Sequence, residues 1–279
     1  MTSQTRVALV TGCGKRDGIG AAVARALSKA GHALVVVDLE AKGVRDPFEP
    51  ARTADPEWGG VSSLVDELKA AGGAASFVTG DISDEADVAR IVGCAIDAYG
   101  RLDVLVNNAG APLSLAHGDV ETIKAEEWDR VFAINVRGTF LMCRAAAPHM
   151  RRQNWGRIIN IASVAGRTGS KANSAYAASK AAVIGLSHSM ALDLGPANVT
   201  SNAVLPGFIL TSRSLTGMSK RLGKSDIDDE TIAKSTPAVP LGRAGTPDDV
   251  AGTVAFLASD AAAYTTGQSF VVDGGSQRL

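Results

Sequence analysis

Arg6-Val-Ala-Leu-Val-Thr11, Gly12-Cys-Gly-Lys-Arg-Asp-Gly18-Ile-Gly20 and Ala33-Leu-Val-Val-Val-Asp38 decide the fold. The first run is a short apolar strand. After the glycine-rich turn comes an alanine-rich amphipathic helix running to about Ala30, which Gly31 stops. The last run is a buried strand that ends in an acid. Strand, glycine turn, helix, strand and acid, in this order, form the physical pattern of a dinucleotide site. Glycines let the backbone approach a pyrophosphate, and the helix N-terminus offers it free N–H groups. Asp38 lies eighteen residues beyond Gly20, near the ~20 at which a carboxylate accepts bonds from the adenosine ribose hydroxyls.

The alternation continues outward from this unit. Strands are expected at Ala75–Thr79, Leu102–Val106, Arg157–Ser163, Val199–Leu205 and Ser269–Asp273. Helices are expected at Val61–Ala71, Asp84–Tyr99, Ala125–Met150, Ser174–Leu194 and Asp248–Ser259, the last opened by Thr246 as N-cap and Pro247 at the first position. Seven strands separated by helices, with no internal repeat, predict one doubly wound (Rossmann) α/β domain over residues 1–279. Its parallel sheet carries helices on both faces, and ligands bind at the C-terminal ends of the strands.

Two segments break the pattern. Residues 40–60 hold Pro47, Pro50, Pro56 and Trp58 without helical or strand period, and exceed the roughly two to six residues of an ordinary α/β connection. They read as a solvated surface insertion, or else as a flap over the adenosine end of a cofactor or a contact to a neighbouring subunit. Residues 210–237 read as a loose polar stretch, a substrate loop that closes as a lid.

Chemistry is carried by Ser174-Ala-Tyr-Ala-Ala-Ser-Lys180, with Ser163 thirteen residues before Tyr176. On a helix, Tyr176 and Lys180 stand one turn apart on one face. A cation beside a phenol favours the phenolate, which moves a tyrosine with a pKa near ~10 toward use as an acid/base. Ser163 ends a strand, where its hydroxyl can bond a carbonyl oxygen on which charge builds. Taken alone, Tyr-x-x-x-Lys is as well explained by a packed tyrosine and a solvated lysine; the rest of the chain gives it weight.

Apolar residues make up 46% of the chain and charged ones 20%, with a net charge of -1. Neither nucleic acid nor an anionic membrane is implied as a partner. Cys13, Cys94 and Cys143 have no metal-ligand spacing, so no metal site is expected. The N-terminus runs straight into a strand without a signal-peptide core, and no apolar stretch nears the ~20 residues needed to span a bilayer. A soluble cytoplasmic protein is expected.

With these motifs assembled, the sequence resembles the short-chain dehydrogenase/reductase family, in its single-domain branch, from Val7 to Gly275. The resemblance implies that Gly12, Gly14, Lys15, Gly18, Ile19 and Gly20 cradle the pyrophosphate and that Asp38 and Leu39 hold the adenosine. It implies that Asp81 and Ile82 bracket the adenine, and that Asn108, Ala109 and Gly110 line the nicotinamide ribose. Pro206, Gly207, Ile209 and Thr211 match the segment that touches the carboxamide. Asn135, Ser163, Tyr176 and Lys180 match the catalytic set. Tyr176 would exchange the proton, Ser163 would hold the oxygen, and Lys180 would bind the ribose. Asn135 would hold a water that links Lys180 to solvent. One departure stands out: Cys13 to Asp17 separate Gly12 from Gly18, a longer gap than the family's Thr-Gly-x-x-x-Gly-x-Gly. Either the turn carries a bulge or Gly14 takes the role of Gly12.

Asp38 would repel a 2′-phosphate and select NAD, whereas Lys15 and Arg16 either favour NADP or face solvent. The expected activity is NAD-dependent interconversion of a secondary alcohol and a ketone. The substrate is expected to meet Ala111–Leu115, Val164, Ala165 and the stretch from Thr211. The run Val239–Val250 resembles the 3-oxoacyl-carrier-protein reductases, which leaves an NADPH-dependent 3-oxoacyl reductase as an alternative. A non-catalytic dinucleotide-binding regulator is a further one, which the full catalytic set opposes. The family resemblance also implies a homotetramer.

Overall fold

The computed structural model describes residues 5–53, 55–224, 227–235 and 239–277. The residues before Thr5, and positions 54, 225, 226, 236 and 237 of the two pattern-breaking segments, lie outside them.

Strand β1 (Val7–Thr11) leads into helix α1 (Ile19–Lys29), and β2 (Ala33–Asp38) follows. Next come α2 (Val61–Ala70), β3 (Ala75–Thr79), α3 (Glu85–Tyr99) and β4 (Val104–Asn107). The second half runs through α4 (Ala125–Phe132), α5 (Thr139–Gln153), β5 (Gly156–Ile161), the single turn α6 (Ala165–Thr168) and α7 (Ser174–Leu194). It closes with β6 (Val199–Pro206), α8 (Ser212–Leu222), α9 (Asp229–Ser235), α10 (Pro247–Ala258) and β7 (Ser269–Val272). The seven strands form one parallel sheet in the order β3-β2-β1-β4-β5-β6-β7, as the alternation predicts.

Side chains of a strand point alternately to its two faces, and β1 shows why Val7–Val10 is apolar throughout. Ala8 and Val10 pack with Val23 and Leu27 of α1, Leu64 of α2 and Val254 of α10. Val7 and Leu9 pack on the other face with Ile91 of α3, Met142 of α5 and Leu194 of α7. A parallel sheet covered on both sides needs such strands. Because β1 pairs with both β2 and β4, the strand order reverses there, and the loops after β1 and β4 diverge to leave a crevice.

Two expectations need correction. The helix expected over Ala125–Met150 is interrupted by a π-helical segment, Ala133–Gly138, between α4 and α5. Asn135 lies in it, and Thr139 Oγ1 donates to the Asn135 carbonyl at 2.8 Å. Such one-turn bulges reposition a side chain without breaking the helix, and hydrophobic period alone does not register them. The stretch 210–237, expected as loose, contains α8 and α9. Thr211 and Ser214 form a capping box at the start of α8. Leu215 and Met218 share a face and pack on Ile227, away from the sheet's own cores. No helix among the described residues is long and apolar enough to cross a membrane.

Candidate active site

A cavity of about 800 Å³ opens along the C-terminal ends of β1, β2, β4, β5 and β6. Its end beside β1 and β2 is shaped by the glycine loop. Gly12 has φ +74° and lies so close to Asn108 and Ala109 that a Cβ would sit 2.8 Å from each. A Cβ on Gly20 would lie 2.2 Å from the Gly12 carbonyl oxygen. Asn108 Nδ2 donates to the carbonyls of Thr11 and Gly12 at 2.9 Å, and the Thr11 hydroxyl accepts from the N–H groups of Asn108 and Ala109 at 3.0 Å. The loop is thus pinned to the end of β4, with bare backbone facing the cavity.

Gly12, Lys15, Gly18 and Ile19 line this wall, whereas Gly14 and Gly20 do not. Gly14 is turned away against Gly43 and Asp38. The turn therefore carries a bulge, and Gly14 does not replace Gly12. The N-cap of α1 is Gly18, with no side-chain acceptor for the first N–H groups; α8 and α10 are capped by Thr211 and Thr246. Open helix N–H groups beside bare glycine backbone fit an anionic diphosphate.

Asp38 lines the cavity with Leu39. Its carboxylate accepts from Gly14 N at 2.7 Å and from Leu39 N at 2.8 Å. Burial pushes its pKa up, and the two N–H bonds and Lys15 pull against that. Lys15 Nζ is held by Glu49 at 2.9 Å, and Arg16 by Asp55 at 2.9 Å. Trp58 Nε1 donates to the Gly14 carbonyl at 2.8 Å. Residues 40–60, expected first as a solvated insertion, are therefore bonded to the glycine loop, and Gly43, Val44, Asp46 and Glu49 line the cavity. The segment also reaches the far wall, where Ser114 N donates to Asp46 at 3.3 Å.

Asp81 and Ile82 line the side by β3, with Asp81 paired to Arg130 at 2.9 Å. Asn108, Ala109 and Gly110 form the middle, and Pro206, Gly207, Ile209 and Thr211 the wall by β6.

Ser163, Tyr176 and Lys180 line the same cavity on its β5 side, with β1 and β4 between them and the strand that carries Asp38. Ser163 follows β5, and its Oγ accepts from Ala165 N at 3.2 Å, leaving its proton available. Lys180 Nζ lies 5.7 Å from the centre of the Tyr176 ring and donates to the Ile161 carbonyl at 2.7 Å. Burial first, and the charge of Arg213 second, push the Lys180 pKa down to about 7. Arg213, at the start of α8, lies 5.9 Å from the same ring.

Asn135 is not brought to the cavity wall. Its Oδ1 accepts from Ala111 N and its Nδ2 donates to Ser179 Oγ, both at 2.8 Å. The side chain is a strut between the segment after β4 and α7, with one bond from each of its amide groups to protein. Of the residues expected near substrate, Pro112, Leu113, Leu115 and Ala165 line the cavity, and Ala111, Ser114 and Val164 do not. Sequence reasoning missed Phe208, Ser170 and Arg213 individually. Helical spacing of Leu215, Met218 and Leu222 in the stretch after Thr211 was the signal that would have oriented Arg213.

Comparison with known proteins identifies relatives along most of the chain. Residues 55–277 match the family described as enoyl-(acyl carrier protein) reductase. The chain is 38% identical over 276 residues to the short-chain reductase protein NovJ of Streptomyces niveus, covering 98% of this chain and 94% of that one. It is 39% identical over 277 residues to a 3-oxoacyl-[acyl-carrier-protein] reductase of Synechocystis sp., covering 99% and 98%. The crystal structure of levodione reductase superposes with a TM-score of 0.83 at 32% identity, covering 96% of each chain. Fold, glycine cradle and relatives converge: the chain belongs to the short-chain dehydrogenase/reductase family and is an oxidoreductase of the NAD(P)-binding kind.

Proposed function

We propose that this enzyme interconverts a secondary alcohol and a ketone with NAD. The observation that carries this reading is that Ser163, Tyr176 and Lys180 line one cavity with Asp38. When bound, the nicotinamide supplies or accepts the hydride. Tyr176 gives the carbonyl oxygen its proton, or takes it from the alcohol, and the Ser163 hydroxyl donates to the same oxygen as charge develops. In its ammonium form Lys180 spends one N–H on Ile161, which leaves two of its three donors for ribose hydroxyls. Asn135 positions the segment after β4 against α7 by holding Ala111 and Ser179.

Selection of NAD over NADP rests on Asp38 at the adenosine wall. Lys15 and Arg16, the cations that would welcome a 2′-phosphate, are already engaged by Glu49 and Asp55. That engagement weighs against the NADPH-dependent 3-oxoacyl reductase reading. Residues 40–60 serve as a cover over the adenosine. The assembly is read as a homotetramer, supported by exposed Phe140, Leu192 and Tyr264 on α5, α7 and the approach to β7; a monomer in sedimentation velocity would remove this. Three cysteines without disulfide partners support a cytoplasmic location, which cell fractionation tests.

Tyr176→Phe is the deciding variant. Turnover of alcohols or ketones should fall by a factor of about a hundred to ten thousand, with NADH fluorescence titration unchanged. Turnover near the parent's level would remove Tyr176 from the reaction.

A further inference from the structure

Most cations lining the cavity have a partner. Lys15 faces Glu49, Arg130 faces Asp81, and Lys180 bonds the Ile161 carbonyl. Arg213 is the exception: it is half-buried, it lines the cavity, and among the described residues neither a carboxylate nor a hydrogen-bond acceptor takes its guanidinium. Its neighbour is the face of the Tyr176 ring, 5.9 Å from Cζ, a weak cation–π contact at that range. Lys180 stands 5.7 Å from the same ring, so two cations flank one phenol.

The carboxylates of the cavity cannot answer this charge. Asp38 is held by Gly14 and Leu39, Asp46 by Phe48 and Ser114, Glu49 by Lys15, and Asp81 by Ser83 and Arg130. The rest of the substrate end is neutral, with Leu113, Leu115, Phe208 and Ser170. Partly buried charges are normally paired, and a guanidinium presents a fork matched to a carboxylate. A diphosphate has other donors, at the glycine loop and the uncapped start of α1.

We infer that Arg213 is a substrate-recognition residue and that the substrate is a short oxo acid or the corresponding hydroxy acid, its carboxylate on Arg213 and its reacting carbon at Tyr176 and Ser163. This rests on the reaction proposed above. The anion is recognised by a planar fork, and the neutral, partly apolar walls take the carbon chain between the two ends.

Calorimetric titration of the enzyme's complex with NAD, the oxidised form that has no hydride to give an oxo group, tests this, using pyruvate, acetoacetate and levulinate, each beside its methyl ester. At least one acid should bind tenfold or more tighter than its ester. That preference should vanish in Arg213→Met and be partly kept in Arg213→Lys, which retains the charge without the fork. Equal or undetectable affinity for acid and ester in the parent would overturn the inference, as would a preference that survives in Arg213→Met. So would a loss of NADH affinity in Arg213→Met with the acid preference kept, which would assign the side chain to the cofactor. Turnover read in parallel separates the two readings. An acid preference without turnover leaves Arg213 standing and removes the reaction; turnover of esters without the preference does the reverse.

Discussion

At the adenosine end of the cavity Lys15 faces Glu49, Arg16 faces Asp55 and Arg130 faces Asp81. At the other end Lys180 and Arg213 flank Tyr176, and no carboxylate among the described residues stands between them. The paired end presents a wall whose charges are settled within the protein, suited to reading the shape and hydroxyls of a neutral ribose. The unpaired end keeps positive charge in partly buried space, where burial first and Arg213 second depress the Lys180 pKa, and an anion is the natural counterpart. One cavity thus separates recognition by fixed geometry from recognition by charge.

The largest break of this contrast comes from unpairing the adenosine end. Asp38→Ser combined with Glu49→Gln removes the carboxylate at the ribose and frees Lys15. The preference for NADH over NADPH, measured by paired fluorescence titration, should fall about a hundredfold, which is about 2.7 kcal/mol. An unchanged ratio would mean that neither Asp38 nor the insertion sets the choice.

Lys180 supplies a second test, at the substrate end. Its folded pKa of about 7 lies below its ordinary 10.5. Between those values the unfolded chain binds the extra proton, so stability rises with pH. Cys13 and Cys143, whose thiols burial pushes up from 9.0, oppose this at higher pH and limit the clean window to about pH 7 to 9. Within it, urea unfolding in dinucleotide-free buffer should show stability climbing by up to about 1.4 kcal/mol per pH unit. Lys180→Met should flatten the slope. The same slope in that variant would place its origin elsewhere.

Much of this was legible in the sequence because it rests on local pattern. The runs Val7–Val10 and Ala33–Val37 are apolar at every position because a parallel sheet buries both faces, and Asp38 stands out against them. Thr246 and Pro247 announce α10 by capping chemistry alone. What escaped depends on distant partners. Asn135 stands out in the sequence by resemblance, but its bonds to Ala111 and Ser179, residues 24 and 44 positions away, are visible only in the fold. Lys15 and Arg16 read as free cations until Glu49 and Asp55 fold back over them. The start of α8 looked like loop because its capping box uses Thr and Ser, common turn formers as well.

The longer glycine loop gives the smallest effect and joins the two ends. Asp17, one of the residues between Gly12 and Gly18, accepts from Ser212 N at 2.5 Å and from Ser212 Oγ at 2.9 Å. The loop that faces the diphosphate site therefore also grips the first turn of α8, the helix that carries Arg213. On the far side of α8, Lys220 donates to the Ser114 carbonyl at 2.9 Å. With both ends of the helix tied, Arg213 is held over Tyr176 before a ligand arrives, and less freedom is lost on binding. Asp17→Ala cuts one tie. Because Asp17 is exposed, the hydrogen bonds to its carboxylate should count for less than buried ones, about 1 kcal/mol. The expected outcome is a KM for substrate raised about fivefold, roughly the equivalent of that energy, with kcat nearly unchanged and NADH binding intact. A fall in kcat with KM unchanged would mean instead that Asp17 orders the glycine loop for chemistry. No change in either would leave α8 held by Lys220 and by the packing of Leu215 and Met218 on Ile227, making the extra residues of the loop a spacer between strand and helix.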